Sequence, residues 1–245
     1  MSSQAGGAPP TLMTDPVLYY SRNPNPRLAV AVARHLRAPV AFQWCAPFDP
    51  KQSDFFRRLN PSLRIPILVE AGQPLWEADA IACRFAQMTG SDFWRMGRAM
   101  PEMIRWLSWG KTGFVLACDM VHFELGTKQR YGLGPVDARA LDEGQAMLTE
   151  AGARLDVHLA DRDWLLDDGP SYADFRMATF LPFDDALVLP LEDWPGISAW
   201  MQRLDAIPAW ANPFEGLDAP PLPPPGQREA TDTGVDDAGP AETCP

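Results

Sequence analysis

With 245 residues, 46% of them hydrophobic and 22% charged, the chain has the size of one large globular domain or two ordinary ones. Its net charge of -11 argues against a nucleic-acid binder, which needs a basic face, though it leaves room for a local basic pocket. The cysteines at 45, 83, 118 and 244 and the histidines at 35, 122 and 158 show no CxxC and no ligand spacing, so neither a metal site nor a disulfide framework is expected.

No basic region followed by an apolar run opens the chain, and no apolar stretch reaches the ~20 residues of a membrane span. The expectation is a cytoplasmic protein with no membrane partner. Residues 1–15 are small, polar and proline-containing and read as a disordered tail. A short strand at 17–20 is followed by a helix at 27–37, a second strand at 40–44 and a helix at 49–59. Asp49 would cap this last helix, with Pro50 in its first turn, where a missing N–H costs nothing. A hairpin at 65–70 and 73–76 leads into a helix at 77–89. The order βαβαββα is that of a thioredoxin-like α/β domain, a mixed sheet with helices on both faces, over 16–89. A linker at 90–97 leads into an all-helical domain at 98–217. Its expected helices lie at 99–123 (interrupted at Gly110 and Gly113), 136–159, 172–186 (bent or broken near Pro182) and 193–206. Residues 218–245, rich in proline and acidic residues, read as a second disordered tail.

The most informative stretch is 59–81, LNPSLRIPILVEAGQPLWEADAI. Proline inside a strand removes a ladder donor, so Pro66 between such strong flanks points to a cis Ile65–Pro66 bond at a strand entrance. A cis bond there turns the backbone groups of Ile65 outward, where an extended peptide can pair with them. Glu77 then opens a helix whose first amides favour a carboxylate. Together these features suit a short, charged peptide.

This arrangement resembles the glutathione-binding half of the cytosolic glutathione transferases, and the order of elements extends the resemblance over about 17–217. It implies glutathione as co-substrate, attack of its thiolate on a small apolar electrophile, and a homodimer. It also implies site residues. Arg64 would meet the glycyl carboxylate, Ile65 and Pro66 would present the pairing edge, and Glu77 would take the γ-glutamyl ammonium. Ala78 stands where the family usually has Ser or Thr, so its N–H alone serves; one lost neutral hydrogen bond is worth ~1 kcal/mol. For Arg64 an ordinary exposed loop arginine is the alternative, and for Glu77 and Asp79 simple complementarity to the helix dipole.

The loop Ser21-Arg22-Asn23-Pro24-Asn25-Pro26-Arg27 lies where transferases place the donor to the glutathione sulfur. Aligned on Arg27, Asn23 falls near the usual serine and Asn25 near the asparagine or cysteine of some bacterial classes, with Ser21 as a third candidate. A plain turn is the competing reading. The loop holds no cysteine, which speaks against thiol exchange through a nucleophile of the protein's own. The family's acceptor pocket lies against the first long helix of the second domain, which makes Trp106, Trp109 and Phe114 candidates, with core packing as the alternative; Phe180 and Phe183 lie on a later helix. For partner contacts the candidates are Trp76, Phe85 and Met88. Ser171 to Asp174 forms a capping box, a folding signal. The Asp167-Asp168 and Asp184-Asp185 pairs read as solvated faces. Two functional classes compete with the transferase: a non-catalytic module on the same fold, and a glutathione-dependent reductase, lyase or isomerase.

Overall fold

The computed structural model describes residues 16–166, 169–183, 186–187 and 189–224. The expected tail at 1–15, most of that at 218–245, Cys244 and both aspartate pairs lie outside them. Among the described residues no helix is long and apolar enough to cross a membrane, and no group of three or more His, Cys, Asp or Glu gathers as metal ligands.

The first half is a four-stranded sheet in the order β2-β1-β3-β4. Strand β1 (Val17–Tyr20) runs parallel to β2 (Ala41–Trp44) and antiparallel to β3 (Ile67–Glu70), which pairs with β4 (Gln73–Trp76). Side chains alternate between the two faces. Leu18, Tyr20 and Leu68 pack under α1 (Pro24–His35) and α3 (Ala78–Thr89), while Val17, Tyr19 and Ile67 pack on Phe56 of α2 (Pro50–Leu59). All of β1 is therefore buried. Ala71 and Gly72, both at positive φ (48° and 77°), make the two-residue turn between β3 and β4. Pro74 sits in β4, the edge strand, where a missing donor is tolerated.

Asp49 caps α2 by accepting the Lys51 N–H at 2.9 Å, with Pro50 in the first turn. Helix α1 starts three residues before the expected 27, because Pro24 and Pro26 both fit a first turn whose N–H groups have no helical partner. The stretch at 90–97 is packed rather than loose. Phe93 and Arg95 are buried, and the Tyr172 N–H donates to the Phe93 carbonyl at 2.9 Å.

The second half is helical. The expected helix at 99–123 divides at Gly113 into α4 (Met100–Thr112) and α5 (Phe114–His122). It then continues through a π-helical turn, Phe123–Thr127, into α6 (Lys128–Tyr131), stopped by left-handed Gly132. Helix α7 (Ala138–Leu159) follows. The expected helix at 172–186 ends early as α8 (Tyr172–Met177), and turns carry the chain to Pro182. Last come α9 (Pro195–Asp205) and α10 (Pro208–Ala211). At Gly152 of α7 the Trp194 ring approaches so closely that a Cβ would lie 2.2 Å from it.

The capping box forms and does more than cap. The buried Asp174 carboxylate accepts from the Ser171 N–H (2.9 Å) and hydroxyl (3.0 Å), the Leu165 N–H (2.9 Å) and the Trp200 indole (3.1 Å). Burial raises its pKa and these hydrogen bonds work against the rise.

The expected start of the second tail at 218 differs from the structure. Tyr20 Oη donates to the Asp218 carbonyl (3.1 Å) and Arg22 Nε to the Ala219 carbonyl (2.7 Å). Ala219 is itself buried, so the packed chain passes 217.

Candidate functional site

The loop from β1 to α1 brings Ser21 and Asn23 together and sets Asn25 apart. Asn23 is the N-cap residue of α1. Its N–H (3.3 Å) and side-chain amide (3.1 Å) both donate to Ser21 Oγ, and its own Oδ1 accepts from the Tyr131 hydroxyl at 3.3 Å. Asn23 is thus largely engaged in holding the loop. Ser21 is buried, accepts twice, and keeps its hydroxyl proton to donate. Asn25 Oδ1 accepts from Arg176 Nη1 at 2.7 Å. A guanidinium can only donate, so this bond fixes which end of the Asn25 amide is oxygen and turns its NH2 elsewhere. Of the three candidates, Asn25 is the one whose donor group is held in a set orientation and not consumed within the loop.

On the neighbouring edge the Ile65–Pro66 peptide is cis and leads directly into β3. Arg64 is exposed, with its carbonyl tied to Asn60 Nδ2 (2.9 Å). Glu77 is exposed too and takes φ 76°, a conformation costly for any residue but glycine. Ala78 follows as the first residue of α3. A cation and a carboxylate thus flank the cis edge, with the unpaired amides of the α3 first turn beside them.

Between the two helix starts lies a charge network that sequence reasoning missed. The Asp79 carboxylate accepts the Tyr172 hydroxyl (2.6 Å) and pairs with Lys111 Nζ (2.7 Å) and Arg176 Nε (3.2 Å). Burial would raise the Asp79 pKa, but Arg176 and the hydrogen bonds from Lys111 and Tyr172 outweigh it, and the carboxyl is held below its ordinary value. Asp79 belongs to the first half and its three partners to the second. Arg176 then reaches on to Asn25, so one guanidinium joins the starts of α1 and α3. Asp119 of α5 lies within electrostatic reach of both Arg64 and Arg176. One sequence signal pointed this way: Tyr172 and Arg176 are four apart, one turn of a helix, and so share a face.

Of the acceptor-pocket candidates Trp106, Trp109 and Phe114, only the two tryptophans line a cavity. Phe114 is fully buried in the core. Trp106 and Trp109 pack edge to face (5.5 Å) and line a cavity of about 260 Å³ with Arg105, Arg154 and His158, all from α4 and α7 of the helical half. None of those residues belongs to the thioredoxin-like half. The helix faces were set by neighbours that the sequence did not identify.

A larger cavity, about 970 Å³, opens beside the β1–α1 loop. Arg22, Arg27, Arg130, Phe183 and Phe214 line it, and residues 221–224 border it. Arg22 stacks on the Phe214 ring and Arg27 on the Trp210 ring, each 4.7 Å from the centroid. Burial lowers the Arg27 pKa to about 10, against the pull of Asp205, so it stays charged at neutral pH. Cys45 and Cys118 are buried, which pushes both thiols up and makes them poor nucleophiles.

Residues 116–208 match the family model described as "Glutathione S-transferase, C-terminal domain". Dichloromethane dehalogenase of Methylorubrum extorquens is 27% identical over 169 residues, 64% of this chain but 59% of the dehalogenase, so less than two thirds of that relative is spanned. Glutathione S-transferase 3 of Zea mays is 28% identical over 191 residues, 74% of this chain and 82% of the relative. Among solved structures, a glutathione transferase family member from Pseudomonas fluorescens with two glutathione bound gives a TM-score of 0.69 at 20% identity, covering 82% of this chain and 93% of that one. At that identity the likeness concerns the fold. The helical half therefore matches the C-terminal domain of the glutathione S-transferases, and the related sequences and the shared two-part architecture agree with that match.

Proposed function

We propose that the protein binds glutathione and transfers its thiolate to a small apolar electrophile. Glutathione would lie along the cis edge, its glycyl carboxylate at Arg64 and its γ-glutamyl end at Glu77 and the N–H of Ala78. The sulfur would then sit at the start of α1, where the helix field and the Asn25 amide, or the Ser21 hydroxyl, favour the thiolate. The thiolate attacks the acceptor carbon, a C–S bond forms, and the leaving group departs with the bonding electron pair. The observation that carries this reading is the Asn25 amide, oriented by Arg176 at the start of α1. Glutathione bound to the Pseudomonas fluorescens family member supports it.

Retention on immobilised glutathione, followed by turnover of an aryl halide, tests both halves. Retention without turnover of an aryl halide or a peroxide would favour the non-catalytic module, a reading that the missing hydroxyl at Ala78 supports. Neither retention nor turnover would end the proposal. We further read the protein as a cytoplasmic homodimer, using exposed apolar side chains such as Trp76 and Ile104. Phe85 is buried in its own core and is withdrawn from that face. Light scattering at monomer mass across micromolar concentrations would refute the dimer.

A further inference from the structure

The 970 Å³ cavity combines features that an apolar acceptor alone does not require. Arg27 is only 7% exposed, yet its Nη1 has no hydrogen-bond partner among the described residues, while Nη2 donates to the Trp210 carbonyl at 2.5 Å. A buried donor left unpaired is costly, and a guanidinium has no acceptor role to fall back on. Arg22 holds the Ala219 carbonyl through Nε (2.7 Å), and its two terminal nitrogens make no hydrogen bond among the described residues. Arg130 adds a third guanidinium to the wall, with Nη1 3.4 Å from His122 Nε2. Against these stand Glu215 in the lining and Asp205 near Arg27.

We propose that this cavity binds an aromatic carboxylate, its ring against Phe183 and Phe214 and its two oxygens on Arg22 and Arg27. A carboxylate suits the few donors on offer, because paired N–H groups match its two oxygens. A phosphate dianion would need more donors and would meet Glu215. The volume is that of a site for a small organic molecule. Arg22 stands between Ser21 and Asn23, and Tyr131, next to Arg130, hydrogen-bonds Asn23. The cavity therefore adjoins the loop that is to hold the sulfur. Naming the occupant as the transferase's acceptor rests on the function proposed above; binding of the carboxylate does not.

The test is calorimetric titration of the full chain with 2-naphthoate and its neutral isostere 2-naphthamide, each with and without saturating glutathione. Naphthoate is expected to bind about tenfold or more tightly than the amide, by the loss of a charge-assisted bond. Arg22→Gln is expected to abolish that preference, and Arg22→Lys to keep part of it. Arg27 also anchors α10, so Arg27→Lys serves as the second variant, checked for an unchanged circular-dichroism spectrum. Naphthoate should still bind when glutathione is present. Equal affinity for acid and amide, or a preference indifferent to both arginines, overturns the proposal. Displacement of naphthoate by glutathione overturns the acceptor assignment. Failure of glutathione to bind, with the arginine-dependent preference intact, sinks the transferase reading and leaves the carboxylate site standing.

Discussion

Replacing Asp79 by asparagine removes one negative charge from the seam between the two halves with little change in shape. The side chains of Asp79 and Arg176 are 16% and 13% exposed, so their pair is poorly screened. At 3.2 Å and an effective dielectric near 20, their attraction is about 5 kcal/mol before desolvation. Much of that is offset by the cost of burying both ions, but removing one partner leaves the other charge buried and unpaired. Lys111 is half exposed and adds little. Tyr172 can still donate to the remaining oxygen. The net loss is about 2–4 kcal/mol, which for a chain of this size lowers the melting temperature by roughly 4–16 °C. The folded Asp79 carboxyl lies below its ordinary value of 3.8, so its contribution is complete above that pH and disappears as the pH falls through the folded value. The gap between wild type and variant should therefore be constant near neutrality and close below about pH 4. Differential scanning calorimetry at several pH values measures it. A variant melting within about 1 °C of wild type at pH 7, or a gap undiminished at pH 3, would refute the assignment of Asp79 as the ionic anchor of the interface.

Asn25→Ala should reduce turnover by about 10–100-fold while sparing glutathione affinity, since a neutral amide helps chiefly by stabilising the charged thiolate; unchanged turnover transfers the role to Ser21. Asn23→Ala, which removes a loop support, should act mainly on stability, and a catalytic loss larger than that of Asn25→Ala would reverse the ranking of the two. Arg64→Ala should weaken glutathione binding by about 1–2 kcal/mol with no change in melting temperature, as the residue is exposed; titration calorimetry decides, and unchanged affinity makes Arg64 an ordinary loop residue. Gly152→Ala sets a methyl group against the Trp194 ring and should cost about 1–3 kcal/mol by overpacking, visible in urea denaturation.

The first half was legible because its signals are local. The short apolar run at 17–20, the Asp49-Pro50 start and the proline between Ile65 and Ile67 each constrain a few neighbouring residues, and the structure has β1, the cap of α2 and the cis peptide there. The second half was legible as helical, with the break at Gly113 and the disruption near Pro182 both signalled by their residues, but not in where its helices end. Pro182 and the turns around it shorten α8, and a π-helical turn extends the run after α5 to Tyr131, where the polar sequence gave no apolar stripe to follow. Within the site, the three loop candidates were named but not ranked. The ranking comes from Arg176 and Tyr131, which lie 151 and 108 residues away from their asparagine partners. Asp79 read as a helix-dipole residue for the same reason: its partners are distant in sequence, and a lone acidic residue at a helix start has a sufficient local explanation. Trp106 and Trp109 were placed on the right helix, but the residues that face them, Arg154 and His158 of α7, could not be named, since a helix face acquires its neighbour only through packing.

The way the C-terminal stretch is attached has a bearing on how this protein diversifies. Arg27 grips Trp210, Arg34 grips Glu215, Tyr20 grips Asp218 and Arg22 grips Ala219, and in all four cases the acceptor is a main-chain carbonyl. Every residue type supplies that oxygen. The identities of residues 215 and 218 can therefore drift without loosening the segment, while the four donors, on β1, its loop and α1, stay in place. One side of the large cavity is in this sense an interchangeable panel on a constant frame. New ligand preferences can arise there by substitution in a short stretch of sequence, with the β1–α1 loop untouched.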